Sequence, residues 1–200
     1  MNEKPMPGSL KSPPFPSVLD LGCGNKKRPG SLGLDVIPGT QADVIHDLSV
    51  FPYPFPDSTF SEIFADNVLE HLDSPLKVME ELHRICRPGA KVTIIVPYFR
   101  SKWAFADPTH RSFFAVDSFS YTDPDHPFFA RYAYSKAAFK VVQKVFNEGL
   151  VFSGPLKYLI HGLTRYANKW PHRYEFYLSH LFPLDQLTFE LRAIKAGQGH

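Results

Sequence analysis

The segment 60–97 constrains the fold more than any other part of the sequence, because it predicts a strand, a helix and a second strand in succession. After the strand-like run FSEIFADN, Ser74 can cap a helix and Pro75 suits its first position. Pro88-Gly89 ends the helix, and the apolar run KVTIIVP follows at once. This order requires two parallel strands joined by a crossover. The predicted apolar stripe of the helix comprises Leu76, Met79, Leu82 and Cys86.

Short apolar runs on either side of this segment predict further strands of the same sheet. They are VLDLG at 18–22, SLGLDV at 31–36, ADVIHDL at 42–48, AFKVVQKVFN at 138–147 and QLTFELRAIK at 186–195. One or two short helices are expected between the last two strands. The first two strands are separated only by the loop NKKRPGS, which is too short for the helix that usually joins parallel strands.

Composition favours a single globular domain behind a proline-rich leader at 1–17. The formal net charge of +2, without a concentrated basic face, makes a nucleic-acid partner an unfavoured interpretation. The two cysteines make neither a disulfide framework nor a zinc pattern, and the nine histidines show no paired metal-ligand spacing, so no metal site is predicted. No run is long and apolar enough to span a membrane, and no signal peptide is recognisable, so a cytoplasmic location is expected.

Small and polar residues stand where four of the predicted strands end, which indicates a ligand site at one edge of the sheet. Gly22 and Gly24 allow a sharp turn and a close approach of the backbone to a ligand. Lys27 occupies the third position of a Gly-x-Gly-x-x-Gly dinucleotide motif, so a nucleotide-dependent oxidoreductase is disfavoured. A phosphate loop is absent as well. A structural turn without a ligand is the alternative.

The runs LDLGCG, GLD, HDL, FADNVLEHL and ELHRICRPGAKVTIIVP, in this order over 18–97, resemble class I S-adenosylmethionine-dependent methyltransferases. The resemblance implies an α/β, Rossmann-like fold. Its open, mostly parallel seven-stranded sheet would have helices on both faces, an antiparallel last strand and a shortened connection between strands 1 and 2. Within a single domain at 18–200, residues 18–97 would form the cofactor-binding half. Residues 98–200 would form the acceptor-side half, with insertions.

The same resemblance implies that S-adenosylmethionine is the cofactor and that residues at four strand ends bind it. Asp20, Gly22, Cys23 and Gly24 would surround the methionine part, Asp35 would accept from the ribose hydroxyls, Asp47 and Leu48 would flank the adenine, and Asn67 would lie near the reacting methyl. Each Asp or Asn also has a simpler interpretation, as a cap on the turn that follows a strand.

No catalytic residue is obligatory, because transfer from an activated sulfonium chiefly requires the donor and acceptor to be held in line. His71, which follows Glu70 in VLEHL, and His110 and Arg111, in ADPTHRSFF, are the candidates near the expected methyl. Capping or packing roles for these side chains remain open.

Methyl transfer to a small-molecule acceptor, by in-line displacement at the sulfonium methyl, is the predicted function. Six aromatic residues either wall an apolar or aromatic acceptor or belong to the core: Tyr98, Phe99, Trp103, Phe105, Phe113 and Phe114. A non-catalytic cofactor-binding module that acts through a protein partner, or an RNA or protein methyltransferase, is the alternative. The oligomeric state is not determined by the sequence.

Overall fold

The computed structural model describes residues 16–147 and 156–195. The predicted leader at 1–17 therefore lies outside the described residues, apart from its last two positions. Seven strands form one sheet in the order β3-β2-β1-β4-β5-β7-β6. The strands are β1 (Val18–Leu21), β2 (Leu32–Asp35), β3 (Val44–Ile45), β4 (Phe60–Asp66), β5 (Cys86–Pro97), β6 (Phe139–Asn147) and β7 (Gln186–Ala193).

Strand direction confirms the predicted fold class. The first five strands pair in parallel, whereas β7 is antiparallel to both β5 and β6. The chain runs outward from β1 to β3 on one side and from β4 onward on the other. In an open sheet, a ligand cleft forms beyond the carboxyl ends of the strands where the order reverses in this way. A ligand site is therefore expected beside the loops after β1 and β4.

Five helices accompany the sheet in the part of the chain that the structure describes. They are α1 (Pro75–Ile85), α2 (Trp103–Ala106), α3 (Pro127–Tyr132), α4 (Leu156–Lys169) and α5 (Pro171–Arg173), with tighter or wider turns at Leu69–His71, Ser120–Thr122 and Tyr174–Leu178. With 14 residues, α4 is longer than the short helices predicted there. None of the described helices has both the length and the apolar character needed to cross a membrane.

Helix α1 is amphipathic, as predicted, but its buried face differs from the predicted stripe at one end. Met79, Leu82 and Cys86 are buried, whereas Leu76 is 37% exposed. Val78 and Ile85 occupy the buried face instead. The buried face of α1 therefore begins at Val78, two residues later than predicted, and ends at Ile85, because Cys86 already belongs to β5.

The shortened connection between β1 and β2 is closed by two basic side chains rather than by a helix. Gly33, Asp20 and Phe64 are in register on three adjacent strands and so share one face of the sheet. Lys27 lies over Gly33, so close that a Cβ there would stand 2.6 Å from the lysine Cδ. The guanidinium of Arg28 stacks 4.1 Å from the centroid of the Phe64 ring. The apolar stems of these side chains cover the face that a crossover helix would cover.

Strand β3 is shorter than the predicted run at 42–48, because this edge strand pairs on only one side. Its ladder to β2 continues through the amides of Asp43 and His46, which donate to the carbonyls of Gly33 and Asp35 at 2.9 Å each. Asp47 then starts a turn by accepting from the amide of Ser49 at 2.8 Å. The predicted strand thus resolves into a two-residue strand followed by a turn.

Candidate functional site

A cavity of about 580 Å³ opens beyond the carboxyl ends of β1 and β4. It is lined by Asp20, Gly22, Cys23, Gly24, Asn25, Lys26, Lys27, Arg28, Pro29, Asp66 and Asn67. Its volume lies within the range of small-molecule and cofactor sites. Five of the eight predicted cofactor residues are brought together here: Asp20, Gly22, Cys23, Gly24 and Asn67.

The two glycines of this cavity have different structural roles. Gly22 has a φ of +65°, and a Cβ on it would stand 2.5 Å from Cγ2 of Val68. Gly24 has a φ of +51°, but a Cβ there would meet no atom within 4 Å. Gly22 is therefore required by packing within the protein. Gly24 borders open space, which is the arrangement expected of backbone that approaches a ligand closely.

Asp20 is a buried carboxylate with no lysine or arginine side chain bonded to it among the described residues. It is 4% exposed, and its carboxylate accepts from the amide of Arg28 at 2.7 Å. Burial raises the pKa of Asp20, and the amide bond and positive charge of Arg28 offset this only in part. A cationic ligand group in the cavity would favour the ionised carboxylate. The ammonium of S-adenosylmethionine fits this requirement.

The other three predicted cofactor residues lie outside the lining of this cavity. The carboxylate of Asp35 is buried and accepts from the amides of Gly24, at 2.8 Å, and Ile37, at 2.9 Å. Asp35 therefore fixes the end of the loop at residues 22–24, here called the glycine loop, without lining the cavity. Asp47 lies in the turn after β3, and Leu48 lines a separate cavity of about 180 Å³. Ribose and adenine contacts for these residues stay a prediction.

Cys23 lines the cavity but is only 7% exposed. Burial is the main cause that raises the pKa of its thiol, and the negative charges of Asp20 and Asp35 raise it further. A thiol with a raised pKa is a poor nucleophile. Cys23 therefore contributes shape to the cavity rather than reactivity.

A second cavity, of about 560 Å³, adjoins the first at Asn67, which lines both. Its lining comprises Asn67, Glu70, His71, Pro97, Trp103, Ala106, Asp107, Pro108, His110 and Gln186. Asn67 has a φ of +50°, and its backbone N–H donates to the carbonyl of Ile95 at 2.9 Å. Its side-chain oxygen accepts from Gln186 at 3.2 Å. Asn67 is thus fixed by β5 and β7 at the junction of the two cavities.

The wall of the second cavity is made by joining two segments that are distant in sequence. The carbonyl of Glu70 accepts from the amides of Arg111, at 2.7 Å, and Ser112, at 3.1 Å. These bonds hold the loop after α2 against the turn at Leu69–His71. As a result, the rings of His71 and His110 pack edge to face with centroids 4.7 Å apart.

Hydrogen bonds define the tautomers of both histidines. Asp107 accepts from the hydroxyl of Thr109 at 2.6 Å, so this hydroxyl must accept from Nδ1 of His71, which lies 2.9 Å away. Nδ1 of His110 donates to the carbonyl of Ala104 at 3.1 Å. Both rings therefore present Nε2 with its lone pair. Burial and the neighbouring His110 lower the pKa of His71, which favours its neutral form.

Glu70 is the most unusual side chain of the second cavity. It is 1% exposed, and neither carboxylate oxygen has a hydrogen-bond partner among the described residues. Burial raises the pKa of Glu70 to about 7, with smaller contributions from the negative charges of Asp66 and Asp107. Buried polar groups without partners are uncommon and are concentrated at functional sites.

The remaining candidates of residues 98–200 lie in four different surroundings. Arg111 points away from the cavity and forms an ion pair with Asp73 at the surface. Trp103 lines the second cavity, whereas Phe105 and Phe113 stack on each other and are exposed. Tyr98 and Phe114 are buried in the core, against which Phe99 packs.

Gln186 lines the second cavity but was not predicted from the sequence. Nothing in the sequence around Gln186 distinguishes it from an ordinary strand start.

Comparison with known proteins agrees with this geometry. Residues 19–94 match the family model described as a methyltransferase domain. An uncharacterized methyltransferase of Schizosaccharomyces pombe is 41% identical over 44 residues, which cover 22% of this chain and 16% of the yeast protein. The matched segment is thus well under two thirds of the length of that relative.

Two solved structures share the fold. One is the complex between the Haloferax volcanii Trm112 methyltransferase activator and a candidate methyltransferase, with a TM-score of 0.57, 17% identity and coverage of 94% of this chain and 87% of that one. The other is an S-adenosylmethionine-dependent methyltransferase from Archaeoglobus fulgidus, with a TM-score of 0.51, 16% identity and coverage of 88% and 85%. At 16–17% sequence identity, these two similarities show a shared fold and nothing more.

The sheet order, the glycine-loop cavity and the domain match over residues 19–94 confirm the family and cofactor predicted from the sequence. Residues 19–94 carry a methyltransferase domain, and the fold around it is that of S-adenosylmethionine-dependent methyltransferases.

Proposed function

We propose that this protein transfers the methyl group of S-adenosylmethionine to a small-molecule acceptor bound in the second cavity. The observation that supports this proposal is the junction of the two cavities at Asn67. One cavity has the glycine loop and the buried acid expected around the cofactor. The other, at about 560 Å³, has the size of a small-molecule site.

In the proposed methyl transfer, the residues of the two cavities have different roles. Asp20 would bind the ammonium of the cofactor, and the backbone at Gly24 would lie against its methionine part. When bound, S-adenosylmethionine supplies a methyl on a sulfonium, so the acceptor–methyl bond forms as the carbon–sulfur bond breaks and sulfur keeps the electron pair. Asn67 would orient the donor towards the second cavity. Trp103, Pro97 and Pro108 supply apolar surface that excludes water from the acceptor.

Calorimetric titration of the full chain with S-adenosylmethionine tests the donor site. We compare the natural chain with Asp20→Asn, which retains an oxygen to accept from the amide of Arg28 but removes the charge. The expected loss of affinity is about 10-fold or more, the scale of a hydrogen bond to a charged group. Methylthioadenosine, which lacks the amino-acid part, should bind both proteins equally.

Asp57→Asn is the matched control, because it removes one negative charge at an exposed site where Asp57 pairs with Arg84. It should leave the affinity for S-adenosylmethionine unchanged. Absence of binding by the folded natural chain would exclude the proposed function. An equal loss for both ligands in Asp20→Asn would place the ammonium elsewhere. Release of S-adenosylhomocysteine with a panel of small acceptors, compared with RNA and protein acceptors, then tests the acceptor class.

A second candidate is a methyltransferase that works with a protein partner. The edge strand β3 and its flanking loops expose Val36, Ile37, Ile45 and Val50, each more than half accessible. An apolar sheet edge with an unpaired side suits the addition of a strand from another chain. A fold neighbour was solved together with the Trm112 methyltransferase activator. Size-exclusion chromatography of the chain with that activator tests this candidate: Ile45→Lys should abolish co-elution, and no complex with the natural chain would exclude this partner.

A further inference from the structure

Glu70, His71 and His110 form the one cluster among the described residues that has metal-ligand geometry. A ligand atom from each side chain lies within 4.8 Å of the others. We propose that these three residues bind one divalent transition-metal ion at the acceptor end of the cleft. The site was not predicted from the sequence, because 39 residues separate the two histidines and no local spacing relates them.

The unpartnered carboxylate of Glu70 is the first argument. Both of its oxygens are inaccessible to solvent and accept no hydrogen bond within the described chain. An isolated buried carboxylate is costly, and a bound cation is one of the few ways in which a protein compensates for it. The side chain lines the same cavity as the two rings, so a cation that contacts the rings is within its reach.

The prepared tautomers of the two histidines are the second, independent argument. In each ring Nδ1–H is already engaged, by the hydroxyl of Thr109 for His71 and by the carbonyl of Ala104 for His110. Imidazoles that bind metals through Nε2 characteristically donate Nδ1–H to such outer partners, which fix the ring and its tautomer. The lone pairs on Nε2 are therefore available in rings that are already oriented.

The donor set indicates which ions would bind. Two imidazole nitrogens and one carboxylate suit Zn²⁺, Co²⁺, Mn²⁺ or Fe²⁺, whereas Mg²⁺ and Ca²⁺ prefer oxygen ligands throughout. Ligands about 2.0–2.2 Å from Zn²⁺ in a tetrahedron lie roughly 3.4 Å apart. The ligand atoms, which lie within 4.8 Å of one another, would therefore have to approach by at most about 1.4 Å.

Three protein ligands leave at least one coordination position open, and all three side chains line the same cavity. In catalytic zinc sites the open position binds water or substrate. An acceptor with an oxygen ligand, such as a hydroxyl or carboxylate, would therefore be oriented by the ion next to Asn67. This role in methyl transfer rests on the proposed function, but metal binding itself can be measured without it.

Titration of the untagged full chain with Co²⁺ tests the site, because its visible spectrum reports the ligand type. We expect one equivalent to give ligand-field bands of a nitrogen and oxygen site without a thiolate charge-transfer band. Glu70→Gln and His110→Gln should each weaken binding by at least about 100-fold. Thr109→Val, which removes only the outer partner of His71, should weaken it by about 10–100-fold.

His83→Gln is the matched control, because His83 bonds through Nε2 to the carbonyl of Ile194 and lies outside the cavity. Its binding of Co²⁺ should equal that of the natural chain. Circular dichroism and S-adenosylmethionine titration verify that each variant is folded. No stoichiometric binding, equal binding by all variants, or a thiolate band from Cys23 would each overturn the proposed site.

The two proposals fail separately in this experiment. A natural chain that binds S-adenosylmethionine but not Co²⁺ would retain the proposed function and lose the metal site. A chain that binds Co²⁺ through Glu70 and His110 but not S-adenosylmethionine would retain the site and lose the proposed function.

Discussion

Gly22 and Gly24 show how two identical residues of one loop serve packing and binding separately. Both have a positive φ, which costs a residue with a Cβ about 1–2 kcal/mol. Only Gly22 faces a neighbour, the side chain of Val68 that follows β4. The loop after β1 and the segment after β4 therefore approach each other so closely that the first glycine has no substitute.

Gly22→Ala should lower the free energy of unfolding by about 2–5 kcal/mol, the sum of backbone strain and overpacking. Urea denaturation measures this loss. Gly24→Ala is the matched variant, because it has the same backbone strain without a clash, so its loss should be about 1–2 kcal/mol. Val68→Ala should recover part of the loss in Gly22→Ala and none in Gly24→Ala. Equal losses in both glycine variants would show that the contact with Val68 does not determine the effect.

At the scale of elements, the connection between β1 and β2 replaces a helix with ion-paired side chains. Nζ of Lys27 lies 2.9 Å from both carboxylate oxygens of Asp43, and one of these oxygens also accepts from the amide of Gly33 at 2.7 Å. The pKa of Asp43 lies below its usual value of 3.8, mainly because of the hydrogen bond from the Gly33 amide. The hydrogen bond from Lys27 lowers this pKa further. The loop is thereby linked to β2 and to the residue before β3.

This link predicts a specific acid dependence of stability. Since the pKa of Asp43 is lower in the folded than in the unfolded chain, its ionised form stabilises the fold above about pH 4, and this contribution is lost as the pH falls through the folded pKa. Asp43→Asn should therefore be less stable than the natural chain at pH 5–7, with a difference that shrinks below about pH 4. Urea unfolding over a pH series measures it. Lys27→Met should show the same trend more weakly, and a difference independent of pH would contradict the role of Asp43.

The strands that border the two cavities were predictable, because buried parallel strands are continuous apolar runs whose ends are marked by glycine or polar residues. β1, β4 and β5 were located from such runs. The length of β3 was overpredicted because this edge strand pairs on only one side, so the apolar run continues beyond the paired residues. The stretch that contains α2 and α3 has no regular period, so its helices were not predicted. The loop after α2 is held by tertiary bonds such as that from the amide of Arg111 to the carbonyl of Glu70.

At the scale of the whole molecule, the cleft unites segments that are far apart in sequence. Lining residues of the first cavity come from both sides of the point where strand order reverses, after β1 and after β4. The second cavity adds the end of β5, the loop after α2 and the start of β7. Sequence patterns are local, so they placed His71 and His110 in the same region near the expected methyl but did not predict the contact between the two rings. A ligand in the cleft contacts structure that exists only in the folded state.

Bound S-adenosylmethionine should therefore stabilise the chain as one cooperative unit. At 100 times its dissociation constant a ligand adds about 2.7 kcal/mol, which corresponds to a rise in Tm of about 5–11 °C for a chain of this size. For Asp20→Asn at the same concentration, a 10-fold weaker site adds only about 1.4 kcal/mol, so the rise should be about half as large. Scanning calorimetry with a reversibility check measures both. An equal rise in the two proteins would mean that the ligand stabilises the fold without its ammonium contacting Asp20, and would move the donor site away from the glycine loop.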